Sequence, residues 1–256
     1  MKPQAFAQLQ AVQQEHWWFR HRQRLLCQWL DPLFPKPVTR VLDFGCGSGS
    51  NLSLLGSFGP VVGLDPSLTG LTLAKGVYPQ ASLVQGDGNQ VARLFAPASF
   101  DLIGVFGVLY HQNIQDPLQV LQQLQQLLAP GGYLLLAEAA FPMLYRQHDR
   151  QAAGARRFHP RQMVTLLEEA GLLVERSTCW NLPAFFPAAL LALVDNLLLQ
   201  EGDTIGELTL PPVWLNQFLY HLLTVESWMI GHGVSLPLGV SLMCLARKAD
   251  ETANCG

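Results

Sequence analysis

Charged residues are scarce in this 256-residue chain. They make up 14% of it, the formal net charge is −3, and hydrophobic residues account for 49%. A protein that binds DNA or RNA through its phosphates needs a basic surface, which this composition does not provide. We therefore expect no nucleic acid among its partners. The length suits one large α/β domain with a smaller cap.

Cysteines and long apolar runs are also few. The five cysteines, at positions 27, 46, 179, 244 and 255, form no C-x-x-C pair. This spacing argues against a zinc site, so we expect no bound metal and a reducing, cytoplasmic location. The first 18 residues are polar and rich in glutamine, unlike a secretory signal. The longest apolar stretch, residues 182–199, is interrupted by Asp195 and Asn196, so we expect no membrane-spanning helix.

The most informative stretch is residues 41–49, VLDFGCGSG. Two apolar residues precede Asp43, and Gly45, Gly47 and Gly49 follow at alternate positions. This pattern predicts a strand, a tight loop and a helix start, with backbone N–H groups that a ligand can approach closely. The spacing G-x-G-x-G differs from the G-x-G-x-x-G of dinucleotide-binding proteins. Asp43 would repel a pyrophosphate and favour a cationic ligand.

This string resembles motif I of the class I S-adenosylmethionine (SAM)-dependent methyltransferases, whose cofactor carries a sulfonium and an ammonium group. Three later segments are similar to motifs of the same family, in the same order: a second strand ending in Asp65, the GDGN segment at 86–89, and the pair FDLIGVF and LAPGGYLLLAEA at 100–106 and 128–139. The resemblance implies that SAM is the cofactor, that Asp65 accepts the ribose hydroxyls and that Asp87 accepts from the adenine amine. The residues it assigns to the cofactor are Asp43, Gly45, Cys46, Gly47, Gly49, Asp65, Pro66, Asp87, Gly88, Phe106 and Arg22.

Simpler roles remain open for several of these residues. Asp65 is also placed to cap the next helix from the Pro66-Ser67 turn, and Asp87 to act as a turn residue between glycines. Cys46 has the character of a small filler in the loop rather than of a nucleophile.

The alternation of apolar and helical segments predicts the fold class. We predict strands at 39–44, 60–65, 81–86, 100–106, 132–139, 172–179 and 239–247, and helices at 49–57, 67–77, 116–128 and from His159-Pro160 to Ala170-Gly171. Such alternation implies parallel strands with right-handed crossovers and helices on both faces. The resemblance implies a Rossmann-like, doubly wound, seven-stranded α/β sheet whose strand 7 is antiparallel. The predicted parts are an N-terminal helical segment (1–37), a SAM-binding domain (38–180 with 237–248) and a helical cap (181–236).

The N-terminal segment is predicted to be a helix over residues 4–30. Arg22 falls on its apolar face with Trp18 and Leu25, and a buried arginine needs an anionic partner. The carboxylate of the methionyl group is one candidate. The alternative is that the aromatic residues are ordinary packing and the arginines a solvated face.

The cap is predicted to contain two apolar helices, at about 184–199 and 213–231. Laid over the carboxyl ends of the strands, they would enclose an apolar chamber and select a hydrophobic or aromatic acceptor. Alternatively, they form a homodimer interface or rest on a membrane surface. The small number of Lys and Arg in the cap disfavours electrostatic attraction to a membrane.

Three residues are candidates for the chemistry. His111 follows the fourth strand, and the adjacent His148 and Asp149 follow the fifth; either histidine would serve as a base for an oxygen acceptor, with Asp149 orienting His148. For His111, packing at a helix start is the simpler role. The sequence thus predicts a SAM-dependent methyltransferase of a small, hydrophobic or aromatic acceptor, with O-methylation favoured. The alternatives are a non-catalytic SAM-binding or membrane-associated protein and an NAD(P)-dependent oxidoreductase.

Overall fold

The computed structural model describes residues 15–38, 40–198 and 210–250. Its strands are β1 Val41–Phe44, β2 Val61–Asp65, β3 Ser82–Gln85, β4 Phe100–Phe106, β5 Leu128–Ala139, β6 Leu172–Trp180 and β7 Ser241–Lys248. Its α-helices are α1 Trp17–Leu30, α2 Leu52–Gly56, α3 Leu68–Val77, α4 Pro117–Leu127, α5 Gln147–Gln151, α6 Pro160–Glu169, α7 Phe185–Leu198 and α8 Val213–Gly231. Short 3₁₀ helices span Gly88–Arg93 and Pro142–Leu144.

The seven strands form one sheet in the order β3-β2-β1-β4-β5-β7-β6. β1 is parallel to β2 and β4, and β7 is antiparallel to both β5 and β6. This confirms the predicted Rossmann-like sheet with an antiparallel strand 7. The strand order reverses between β1 and β4, and in open α/β sheets ligands bind at the carboxyl ends of the strands at such a point.

Most predicted elements agree with the structure within about two residues. β5 is the main exception: it begins at Leu128 rather than 132, because Leu128 already pairs with Phe100 before a register shift. α2 begins at Leu52 rather than 49, because Gly49 still has the positive φ of the loop. Residues 4–14 of the predicted N-terminal helix, and the turn between the cap helices, lie outside the described residues.

Helix α1 joins the sheet domain to the cap. It packs on α8 through a buried polar cluster in which His21 Nε2 lies 3.1 Å from an oxygen of Glu226 and Ser227 Oγ lies 2.9 Å from His21 Nδ1. Glu226 also accepts the backbone N–H groups of Asn181 and Leu182, just after β6. The polar groups of the cluster thereby satisfy one another in the interior.

The cap helices differ from the prediction in what they cover. Both lie between β6 and β7, as predicted. However, many of their large apolar side chains face outward: Phe186, Leu190, Trp214, Phe218 and Trp228 are each 60% exposed or more. None of the helices in the described part of the chain is long and apolar enough to cross a membrane.

Candidate functional site

A cavity of about 710 Å³ opens at the carboxyl ends of β1, β2 and β4. Its size is that of a small-molecule site. One part is lined by the strand ends and glycine-rich loops that the sequence assigned to the cofactor: Gly45, Gly47, Asp65, Pro66, Asp87 and Gly88. The other part is lined by the segment after β4 and the end of α5: Tyr110, His111, Gln112, Asn113, Gln115, Gln151, Ala152 and Ala153.

The glycine loop has the backbone that its sequence requires. Gly45 and Gly47 both have positive φ, 75° and 52°, which residues with a side chain rarely adopt. A Cβ at Gly45 would collide with Val108, whereas a Cβ at Gly47 would point into open space. Gly45 therefore allows the loop to pack on the segment after β4. Gly47 leaves the backbone open to a ligand.

Asp65 is fixed at the tip of β2 by two backbone N–H groups. Its Oδ2 accepts from Gly47 N at 2.9 Å, and its Oδ1 accepts from Ser67 N at 2.8 Å. Ser67, not Asp65, caps α3 by accepting from Gly70 N. The carboxylate lines the cavity and retains lone pairs for ribose hydroxyls, since each oxygen accepts more than one hydrogen bond.

Asp87 has the role of a turn residue and also lines the cavity. Its Oδ1 accepts from the backbone and side-chain N–H groups of Asn89, at 2.9 and 2.7 Å, and so caps the 3₁₀ helix. The residue also lines the cavity beside Gly88. The turn therefore holds Asp87 at the wall of the cavity.

Beside the glycine loop, the carboxylate of Asp43 and the guanidinium of Arg22 are buried and form no salt bridge with each other. Both carboxylate oxygens of Asp43 and Nε of Arg22 have no hydrogen-bond partner, while Arg22 Nη2 donates to Asn51 at 2.8 Å. Burial raises the pKa of Asp43 to about 7, although the charge of Arg22 opposes the rise. Burial also lowers the pKa of Arg22 to about 10.

Buried polar atoms without partners are costly, so this arrangement suits a ligand that supplies them. The methionyl group of SAM carries an ammonium, which would pair with Asp43, and a carboxylate, which would pair with Arg22. Asp43 lies two residues before Gly45, which lines the cavity. The residues present therefore fit SAM. The aromatic residues near Arg22 do pack, as the alternative held: Trp18 contacts Trp180 with ring centroids 5.2 Å apart.

Five of the assigned residues do not line the cavity: the buried Asp43 and Arg22, and Phe106, Cys46 and Gly49. Phe106 is buried, and its ring packs over Gly104. Cys46 is 3% exposed, and burial raises the pKa of its thiol, which fits a filler and not a nucleophile. Gly49 instead lets the loop approach α3, where an added Cβ would lie 3.0 Å from Ala74 Cα.

His111 lies in the cavity wall in a defined hydrogen-bonding state. Its Nδ1 accepts from Asn113 N at 3.1 Å, so the neutral ring carries its proton on Nε2. Burial lowers its pKa, which favours this neutral form. In this state Nε2–H donates to an acceptor group. To accept a proton, the ring would have to release Asn113.

His148 and Asp149 do not form the predicted pair. His148 is exposed on α5, and neither residue lines the cavity. Asp149 is buried and bonds the guanidinium of Arg157 at 2.9 and 3.1 Å, and it also accepts from Arg146 N at 3.0 Å. Arginine offers two parallel N–H groups that match a carboxylate, a stronger interaction than a single imidazole N–H provides. Asp149 therefore orders residues 146–157 and does not orient His148.

Glu138, at the end of β5, is a site residue that the sequence analysis did not single out. It is 2% exposed, and its carboxylate accepts from the backbone N–H groups of Val108, Leu109 and Tyr110 at 2.8, 2.8 and 3.3 Å. Burial raises its pKa to about 7, against the opposing effect of these bonds. Its acidic type within the apolar run LLLAEA was the one available signal. Glu138 holds the segment after β4, which lines one part of the cavity.

We expect the Glu138→Gln substitution to loosen this segment. A glutamine keeps one oxygen but turns its NH₂ group toward a backbone N–H, which costs about 1–3 kcal/mol. Amide hydrogen exchange should become faster at residues 108–110 than in the wild type, with little change in β1 or β2. The exposed Glu169→Gln serves as the matched control. Unchanged exchange at residues 108–110 in Glu138→Gln would contradict the positioning role.

The described cap helices do not contribute to this cavity. Its lining includes no residue from the described parts of the cap, 181–198 and 210–236. The chamber expected beneath the cap is thus not the cavity that the structure forms, because the cap helices pack on α1 and on Pro142–Leu144 instead. Within the described residues, no three His, Cys, Asp or Glu side chains are grouped so as to hold a metal ion.

The chain matches the family model of the methyltransferase domain over residues 18–177. It is similar to the 2-phytyl-1,4-naphtoquinone methyltransferase of Thermosynechococcus vestitus, with 34% identity over 127 residues, 46% of this chain and 53% of that protein. It is also similar to the tRNA U34 carboxymethyltransferase of Edwardsiella ictaluri, with 36% identity over 115 residues, 42% of this chain and 34% of that protein. The chain thus spans about half the length, or less, of these curated relatives.

Among solved structures, a SAM-dependent methyltransferase from Archaeoglobus fulgidus has the same fold. The TM-score is 0.57 at 15% identity, and the match covers 88% of this chain and 92% of that one. At this identity the likeness supports the fold only. The family model covers more than half of the chain. The chain therefore belongs to the methyltransferase domain family, as a class I SAM-dependent methyltransferase.

Proposed function

We propose that this chain transfers the methyl group of SAM to an oxygen of a small aromatic or enolic acceptor. The observation that carries the proposal is that one cavity is lined both by the glycine-rich loops and by His111 with Gln112 and Asn113. SAM supplies the methyl carbon and its leaving group, so the protein has mainly to align the two reactants and exclude water. The proposed cofactor contacts are those of Asp43, Arg22, Asp65 and Asp87, with the backbone of the glycine loop.

The state of His111 favours an acceptor that arrives ionised. Its Nε2–H would donate to a phenolate or enolate oxygen and hold it in line with the methyl group. Removal of the proton by His111 would cost the bond from Asn113, about 1 kcal/mol. An aromatic hydroxyl, unlike an aliphatic one, ionises readily enough to need no base. The naphthoquinone named for one relative belongs to this chemical class in its reduced form.

Nucleic acid is a less suitable acceptor, although one relative is named for tRNA. The formal net charge of the chain is −3, and such an acceptor needs many phosphate contacts. We propose that the partner is a small molecule that is apolar or aromatic apart from its reacting oxygen, and that the protein acts in the cytoplasm.

Methyl transfer from labelled SAM to a reduced naphthoquinone tests the proposal. We expect a methyl ether, identified by the NMR shift of its methoxyl group, and little product from an aliphatic alcohol or from tRNA. A C-methyl product would contradict transfer to oxygen, and labelling of tRNA alone would contradict a small-molecule acceptor. In calorimetry, SAM should bind and NADH should not. Saturation by NADH instead of SAM would support an oxidoreductase, and SAM binding without turnover of any acceptor would support a non-catalytic protein.

Two substitutions of His111 distinguish whether its side chain acts as a hydrogen-bond donor or as a base. His111→Ala should lower kcat about 10–100-fold, because one hydrogen bond to a charged oxygen is lost. His111→Gln supplies an N–H but no base, so it should recover much of the rate if His111 acts as a donor. The exposed His148→Ala is the matched control and should leave kcat within about twofold. Failure of glutamine to recover any rate would assign His111 the role of a base.

A further inference from the structure

Helix α7 presents an apolar row to solvent. Phe186, Leu190 and Leu193 follow one another at helical spacing on one face, and they are 67%, 63% and 57% exposed. Met143, in the 3₁₀ helix against which α7 packs, is 64% exposed. Large apolar side chains that are contiguous and exposed mark a surface that binds a protein partner, a ligand or a membrane.

The segment at residues 146–161 carries a concentrated positive charge. It contains five arginines and a single acid, Asp149, in a chain whose formal net charge is −3. Asp149 is paired with Arg157. Arg150 is exposed and Arg146 is half-buried. Both lie in the N-terminal part of the segment, which follows Met143 in the sequence. The charge is therefore local and is not a property of the whole surface.

The apolar row packs on the 3₁₀ helix, and the chain leads from there to the arginines and to the cavity. Phe185 begins α7 and packs on Phe141, with ring centroids 5.4 Å apart, immediately before the 3₁₀ helix that carries Met143. Arg146 and Arg150 follow within eight residues of Met143. The same segment continues into Gln151 and Ala152, which line the cavity. We give the name α7 face to Met143, Arg146, Arg150, Phe186, Leu190 and Leu193, because the 3₁₀ helix that packs on α7 leads within a few residues to both arginines.

We propose that the α7 face docks on an anionic lipid membrane. An apolar helix face inserts at the boundary between headgroups and acyl chains, and nearby arginines are attracted to anionic headgroups. The arginines of residues 146–161 thus supply the attraction that the cap sequence lacks. A second copy of the chain is a poorer occupant, because a two-fold contact would place the arginines of the two copies near each other. This placement would let an apolar acceptor reach the cavity from the bilayer, a purpose that rests on the proposed function.

Vesicle flotation tests the proposal. The full chain should float with phosphatidylcholine vesicles that contain phosphatidylglycerol, and much less with phosphatidylcholine alone or at high salt. Phe186→Ser/Leu190→Ser should reduce the bound fraction at least tenfold on anionic vesicles. Arg146→Gln/Arg150→Gln should reduce binding about tenfold on anionic vesicles and change it little on neutral ones, because each arginine contributes through surface charge.

Two control variants distinguish this face from others. Trp214→Ser/Phe218→Ser removes equally exposed apolar side chains from α8, and Arg24→Ala/Arg93→Ala removes exposed charge from elsewhere. Both should float like the wild type. Absence of flotation, an equal loss in either control, or a wild-type dimer in light scattering that Phe186→Ser/Leu190→Ser converts to a monomer would each overturn the proposal. SAM calorimetry on the same samples reports folding. Turnover of labelled SAM measured without vesicles keeps a failure of membrane docking distinct from a failure of the proposed methyl transfer.

Discussion

Asp43→Asn is expected to stabilise the free protein at pH 8 while it weakens the binding of SAM. At this pH the wild-type carboxylate is charged, buried and without hydrogen-bond partners. Asparagine has nearly the same shape and carries no charge, so its burial avoids the cost of desolvating an anion. The same neutrality removes the attraction for the sulfonium and ammonium groups of SAM. We expect affinity for SAM to fall about tenfold or more.

The pH dependence follows from the direction of the pKa shift. Folding raises the pKa of Asp43 from 3.8 to about 7, so the folded state holds its proton more tightly than the unfolded state does. The stability that this proton provides is fully present below about pH 4 and is lost as the pH rises to about 7. At most, the loss is about 4 kcal/mol, since each pH unit between the two pKa values contributes about 1.4 kcal/mol. Glu138, with a pKa also raised to about 7, adds a loss of the same sign.

Denaturant unfolding from pH 5 to pH 8 measures the effect. The wild type should lose stability across this range, and Asp43→Asn should lose clearly less, with the remainder due to Glu138. Binding of SAM to the wild type should release protons near pH 6–7, because a cation beside Asp43 lowers the pKa of its carboxyl. The exposed Asp195→Asn is the control and should follow the wild type. An Asp43→Asn variant that is less stable than the wild type at pH 8 would contradict the assigned cost of the buried charge.

The sequence predicted the sheet well because its signals are local. Apolar runs bounded by glycine and proline define β1, β2 and β4, and Asp116-Pro117 marks the start of α4, where Asp116 accepts from the N–H groups of Leu118 and Gln119. The acids at the ends of β1, β2 and β3 were found because the family resemblance assigned each of them a place. Two of these acids, Asp65 and Asp87, line the cavity.

The sequence could not predict which distant partners the polar side chains choose. Asp149 lies next to His148 in the chain, yet its oxygens bond Arg157, because the guanidinium matches both of them. Glu138 accepts from a segment about 30 residues away, and His21 meets Glu226 at a separation of 205. The sequence of an apolar helix also does not predict which partner its exposed face contacts. These choices depend on the completed packing and not on local pattern.

Asp65→Ala is expected to cause the largest loss of SAM affinity. The carboxylate fixes the glycine loop through Gly47 N and α3 through Ser67 N, and it is the proposed acceptor for the ribose hydroxyls. Hydrogen bonds to a charged group contribute about 1.5–3 kcal/mol each, so the loss of two to the ribose predicts a Kd about 10²-fold higher or more. Asp65→Asn should fall between the alanine variant and the wild type, because the amide keeps one accepting oxygen.

A thermodynamic cycle with a truncated ligand assigns the loss to the ribose. The wild type should bind S-adenosylhomocysteine more tightly than its 2′-deoxy analogue, because the deleted hydroxyl can no longer donate to Asp65. In Asp65→Ala the two ligands should bind alike, since the acceptor is gone and the coupling between the sites disappears. Asp195→Ala, on the exposed surface of α7, should preserve the wild-type difference. If Asp65→Ala lost affinity but still distinguished the two ligands, Asp65 would act only by holding the loop, and the assigned contact with the ribose would be wrong.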